Sequence, residues 1–196
     1  MLGIFLDTET NGLNPFKHHV LEIALAIVDV ETGLRRDTYT SVVQQPRSAW
    51  DSSDPESLKV NRFTWDEVQK GRPIAEVTSA ILAIFDRNGI KRGEAVFICQ
   101  NPSFDRAFFS QFFPTEKQES LKWPYHWLDL ASMYWSYAIR KGHPMPWSTG
   151  YSKDKIAAVF GLPPEQQPHR AMNGVEHLLL CYQAVVGFPQ LHHEIP

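Results

Sequence analysis

Three strand-like runs come before the first helical pattern, and that order limits the fold more than any other feature of the chain. Residues 2–6 form a short apolar run ending at a carboxylate. Residues 20–30 form a second, and Glu31-Thr32-Gly33 turns the chain into a third over residues 34–43. From Pro73, the residues Ile74, Val77, Ile81, Ile84 and Phe85 follow helical spacing, and Asn88-Gly89 closes that helix. Residues 95–99 are another apolar strand, and Pro102 suits the first turn of a following helix. Trp127-Leu128-Asp129 reads as a last strand running into a helix near residues 131–140. Residues 46–55 and the Pro/Gly-rich residues 141–150 read as loops, and two helices follow, near 152–160 and from about 170 to 186. Three strands followed by alternating strands and helices predict an α/β fold with a mixed central sheet flanked by helices.

A length of 196 residues suits one domain over residues 1–196. The longest apolar runs, residues 24–28 and 178–181, are far shorter than a bilayer requires, so no membrane segment is expected. No basic region precedes an apolar stretch at the start, which argues against a signal peptide. Cys99 and Cys181 lie in apolar segments without metal-type spacing and read as reduced core thiols of a cytoplasmic protein. A net charge of −3 argues against a coat protein that binds polyanions through bulk positive charge. It leaves room for a nuclease, whose bound cations supply positive charge locally.

Asp7-Thr8-Glu9 ends the first strand. Side chains at i and i+2 share a strand face, so the two carboxylates project together. Two adjacent anions repel unless one is protonated or a cation lies between them, and oxygen ligands favour Mg²⁺ or Mn²⁺. The competing reading is a solvated strand end, with Thr10-Asn11-Gly12 as its turn. Asp105 follows another strand, in the first turn of a helix, where an acid also complements the helix dipole. His169 precedes the last helix and has the side-chain chemistry of a general base, although a lone histidine is more often a surface residue.

Together these elements resemble the DEDDh branch of the DnaQ-like exonucleases, within the ribonuclease H-like superfamily. That family's Asp-x-Glu-Thr-x-Gly-Leu motif is matched by Asp7-Thr8-Glu9-Thr10-Asn11-Gly12-Leu13, and Val20-Leu21-Glu22-Ile23 is similar to the strand that follows. Its His-Asn-x-x-Phe-Asp motif is matched by Asn101-Pro102-Ser103-Phe104-Asp105, with Gln100 in place of the histidine. Trp127-Leu128-Asp129 resembles the family's late strand, and residues 155–162 followed by His169-Arg170-Ala171 resemble its third motif.

The resemblance implies a ribonuclease H-like fold forming one exonuclease domain. It implies a metal-dependent 3′→5′ exonuclease that hydrolyses terminal phosphodiesters of single-stranded or frayed DNA or RNA, releasing 5′-monophosphates. Asp7, Glu9 and Asp105 would hold two Mg²⁺ or Mn²⁺ ions, and His169 would accept the proton of the attacking water. Thr10, Asn11, Gly12, Leu13, Asn101 and Phe104 would line the terminal nucleotide. Trp50, Trp147 and Phe108 are candidates for base stacking, against the commoner use of aromatic residues in packing. Tyr151 does not fit the tyrosine branch of the family and reads as a packing residue.

One position departs from the pattern. The third motif places its last acid five residues after the histidine, where this chain has Gly174. At about 100° per residue, His177 lies about 60° from the direction of Gly174 and Glu176 about 160° away. His177 is the better surrogate ligand by direction and Glu176 by chemistry; Asn173 or a water is a weaker replacement. An incomplete site suggests the alternatives of a weakened module that binds 3′ ends or a proofreading subunit. The short stretch after the last helix favours a stand-alone enzyme over the latter.

Overall fold

The computed structural model describes residues 1–192. Five strands form one sheet in the order β3-β2-β1-β4-β5: β1 (Leu2–Thr10), β2 (Val20–Asp29), β3 (Arg35–Val42), β4 (Ala95–Cys99) and β5 (Trp127–Asp129). The first three pair antiparallel, whereas β4 runs parallel to β1 and β5 parallel to β4. The sheet is mixed, as the sequence order predicts.

Helices α1 (Arg47–Asp51), α2 (Pro55–Asn61), α3 (Trp65–Gln69) and α4 (Ile74–Arg87) lie between β3 and β4. Helices α5 (Pro102–Phe109) and α6 (Thr115–Ser120) precede β5. After it come α7 (Leu130–Lys141), α8 (Pro146–Thr149), α9 (Lys153–Val159) and α10 (Ala171–Val185). The loops expected over residues 46–55 and 141–150 therefore hold short helices. Asp54 caps α2 by accepting from the Glu56 N–H at 2.8 Å, and Thr64 and Glu67 form a capping box on α3. Helices this short show no amphipathic period, and α1 and α8 lack even a side-chain cap to mark them.

Strand β1 is buried on both faces, and alternation sorts its residues between two cores. Leu2, Ile4 and Leu6 pack with α4 and α5 through Ile81, Phe85, Phe108 and Phe109. Phe5 packs on the other face with Tyr134 of α7, Ile156 of α9 and Val175 and Leu178 of α10. The same alternation carries past the apolar run, so Thr8 follows the first face and Asp7 and Glu9 the second. No helix among the described residues is long and apolar enough to cross a membrane.

Candidate active site

The C-terminal end of β1 supplies the first two acids. Pairing with β2 sets Asp7 opposite Ala24 and Glu9 opposite Glu22, with a bulge between Glu9 and Thr10 where the strand ends. Acids that face one another across strands repel. Glu22 is relieved by accepting from the Ala171 N–H at 2.7 Å, which satisfies the otherwise unpaired start of α10. Glu9 has no such partner. Its burial, with Asp7 and Glu165 nearby, pushes its carboxyl up to about 8.

The turn after β1 is held tightly from within. Thr10 Oγ1 donates to the Gly12 carbonyl at 2.8 Å. Asn11 is fully buried, and its Nδ2 donates to the Ala49 carbonyl at 2.8 Å and to Ser53 Oγ at 3.1 Å. Its own N–H donates to the His19 carbonyl, and its carbonyl accepts from the Asp54 N–H. With each of these groups committed, Asn11 is an anchor of the turn. A β-carbon on Gly12 would lie 2.3 Å from His18 Nδ1, so this close approach requires glycine. Leu13 beyond it is 71% exposed.

Asp105 arrives from α5. Asn101 takes a left-handed conformation (φ 58°), Pro102 opens the helix, and Asp129 accepts from the Asn101 N–H at 3.0 Å. Asp105 is buried, and Oδ1 accepts from Thr8 Oγ1 at 2.9 Å. Burial, with the charge of Asp7 nearby, drives its carboxyl well above the usual range. The Asn101 side chain is exposed and accepts from Ser103 Oγ, while Phe104 leans on Phe108.

His169 lies just before α10, at the entrance fixed by Glu22. Its neighbour Arg170 pairs with Glu67 at 2.8 Å and covers the ring of Phe63. The gap expected at Gly174 is a close contact: a β-carbon there would lie 2.3 Å from Asp7 Oδ2.

Two residues that the sequence reading passed over complete the cluster. Lys153, the first residue of α9, extends Nζ to within 3.2 Å of Asp7 Oδ1 and 2.9 Å of Glu165 Oε2. It also donates to the Gly174 carbonyl at 3.4 Å. Glu165 belongs to the segment leading to α10, and its N–H donates to Asp154 Oδ1 of α9 at 2.8 Å. Its side chain is 2% exposed, with Oε1 3.1 Å from His169 Nδ1 but without a well-directed hydrogen bond. Burial alone would raise the Glu165 carboxyl, yet His177 and Lys153 beside it pull it down to about 2. Burial opposes the Lys153 charge, but Asp7 and Glu165 together hold its ammonium firmly protonated. Burial raises Asp7 above the ordinary carboxylate range in spite of Lys153. A lysine at a helix start, against the dipole, and an acid four residues before the histidine were the available signals.

The surrogates expected for the missing acid do not reach Asp7. Glu176 forms a paired salt bridge with Arg35 of β3 at 2.6 Å, on the exposed side of α10. His177 is buried behind Glu165, with Nδ1 3.7 Å from Oε2 and Nε2 3.0 Å from the Pro163 carbonyl. Of the aromatic candidates, Phe108 is fully buried and cannot stack on a base. Trp50 packs beside Trp65 near the Leu21–Phe63–Val68 cluster. Trp147 is 60% exposed beside Trp135, and Trp135 also meets Tyr151, which is itself half exposed and lies outside the core where a packing residue is expected.

Glu9, Glu165 and His169 each bring a ligand atom within 4.8 Å of the others. The two carboxylates in that span, with Glu165 Oε1 buried and lacking a hydrogen bond, fit a hard divalent cation, and the His169 imidazole lies beside it.

A mixed five-stranded sheet with acids gathered at the end of its central strand defines an α/β fold of the ribonuclease H-like class. The family model described as Exonuclease, of the RNase T type, matches residues 4–179, and the chain belongs to that family. No curated protein matches it in sequence. Among solved structures it is similar to E. coli exonuclease I in complex with a dT13 oligonucleotide, with 18% identity and a TM-score of 0.75 over 98% of this chain and 42% of that one. It is also similar to cell-death related nuclease 4 (14% identity, TM-score 0.73, 94% of this chain and 63% of that one). The nuclease domain of 3′hExo, a DEDDh family member bound to rAMP, matches at 13% identity and a TM-score of 0.68, over 96% of this chain and 94% of that one. The chain thus spans about two fifths of the length of exonuclease I but nearly all of the 3′hExo nuclease domain. The family model bears out the resemblance to exonucleases, and the structural matches bear out the ribonuclease H-like fold.

Proposed function

We propose that the chain is a metal-dependent 3′→5′ exonuclease that shortens single-stranded or frayed nucleic acid by releasing nucleoside 5′-monophosphates. The observation that carries this reading is the meeting of Asp7, Glu9, Asp105, Glu165 and His169, from three separate segments, around one end of β1. Acids held together in this way, several with raised affinity for protons, are stabilised by a cation.

Glu9 and Glu165 would hold the divalent cation, with Asp7 and Asp105 adjoining. When bound, Mg²⁺ or Mn²⁺ supplies Lewis-acid stabilisation of charge on the phosphate oxygens. His169 accepts the proton of the attacking water. Glu165, 3.1 Å from Nδ1, stabilises the imidazolium so formed. Leu13 and Phe104 offer apolar surface to the terminal nucleotide, and backbone groups of Thr10 and Gly12 and the side chain of Asn101 border it. The relatives were solved with a DNA oligonucleotide and with an RNA mononucleotide, which supports a nucleic-acid end as substrate and leaves the choice of sugar open.

The test is a 5′-labelled single strand incubated with Mg²⁺ or Mn²⁺. Stepwise shortening from the 3′ end, abolished in Asp7→Ala and Asp105→Asn, supports the enzyme. Retention of the strand without shortening supports the weakened binding module instead.

A further inference from the structure

Lys153 stands where a lysine is hard to hold. It opens α9, with its charge against the helix dipole, and its side chain is only 12% exposed. The ammonium is kept there by oxygen atoms from three segments: Asp7 Oδ1 at 3.2 Å from β1, Glu165 Oε2 at 2.9 Å, and the Gly174 carbonyl at 3.4 Å from α10. Two carboxylates and a carbonyl are a donor set that suits a hard cation. The absence of a side chain at Gly174 is part of the arrangement, because a β-carbon there would collide with Asp7.

The segments are also tied to one another. Asp154, next to Lys153, fixes the Glu165 N–H at 2.8 Å. Cys181 of α10 donates its thiol to the Lys153 carbonyl at 3.6 Å. The ammonium is therefore built into the packing of α9 on α10. Glu9 is left outside the Lys153 contacts, and Glu165 turns its other oxygen, Oε1, toward His169.

We propose that the Lys153 ammonium is a resident cation that takes the place of one divalent ion, so that the chain binds a single divalent ion beside Glu9, Glu165 and His169. A second divalent ion between Asp7 and Glu165 would have to displace a buried positive charge or lie against it. The purpose of the remaining ion rests on the exonuclease reading; the number of ions bound does not.

The experiment is a Mn²⁺ titration of the full chain, with free Mn²⁺ counted by electron paramagnetic resonance and binding heat by calorimetry. The expected count is one ion per chain for the native protein and for Lys153→Arg, rising to two in Lys153→Met. Two ions on the native protein, none, or a count of one retained by folded Lys153→Met would overturn the proposal. If circular dichroism shows that Lys153→Met does not fold, the counts for the native protein and Lys153→Arg decide the matter alone. An unshortened strand with one ion bound would sink the exonuclease reading and leave the ion count standing.

Discussion

The carboxylate of Asp7 lies against the backbone of Gly174, so close that a β-carbon on the glycine would come within 2.3 Å of Oδ2. An acid at this position therefore cannot simply be added to the site as it stands. Gly174→Asp and Gly174→Ala are expected to push Asp7 off Lys153 and to lower the rate of strand shortening at least tenfold. Replacing a helical glycine by alanine would by itself stabilise the protein by about 1 kcal/mol, so thermal denaturation of Gly174→Ala separates propensity from collision. A faster Gly174→Asp enzyme would show that Asp7 swings aside and shares the ion.

Glu165 contacts both Lys153 and His169, and its loss leaves each with one acid fewer. Glu165→Gln should slow shortening about 100-fold and weaken Mn²⁺ binding about 10- to 100-fold, the ranges for a proton-transfer partner and a ligand support. Steady-state rates and calorimetry check this. A Glu165→Gln enzyme with native rate and affinity would mean that the cluster is only structural.

The folded protein holds the Glu9 proton up to about pH 8, whereas the ordinary value for this carboxyl is 4.5. Between those values the folded state binds more protons than the unfolded one, so this contribution is fully present below 4.5 and is lost as the pH rises through 8. Metal-free protein should accordingly lose thermal stability from pH 6 to pH 9, less steeply in Glu9→Gln. Since the cation competes with that proton, Mn²⁺ should bind more tightly at the upper end. A flat Glu9-independent profile, with Mn²⁺ affinity unchanged by pH, would refute the assignment.

Thr8 shares a face with Leu6, away from Asp7 and Glu9, yet it serves the site by donating to Asp105 at 2.9 Å. Thr8→Val keeps the shape and removes the donor, at a cost of about 1–3 kcal/mol. The melting temperature should fall by several degrees, and Thr8→Ser should restore most of it. Equal stability of Thr8→Val and the native protein would show that this hydrogen bond contributes nothing.

What could be seen in the sequence follows from how local the signals are. β1 was legible because an apolar run ends in acids at strand spacing, and α10 because its apolar period is long. The departure at Gly174 was visible, but its meaning was not, because the contact with Asp7 is made across β1 and α10. A helical wheel points His177 toward the Gly174 side, whereas in the structure its ring sits buried behind Glu165. Glu165 lies among prolines and glutamines with no periodicity, and a lysine at a helix start is only a weak local sign. Both enter the site through the docking of α9 on α10, a long-range contact that those signals do not reach.

The most direct measurement is the identity of the products. Mass spectrometry of a single-stranded oligonucleotide digested in Mn²⁺ should find nucleoside 5′-monophosphates and a series of strands shortened one residue at a time from the 3′ end, none of it formed by Asp7→Ala. Internal fragments of mixed length, 3′-monophosphates, or an intact strand would contradict the account.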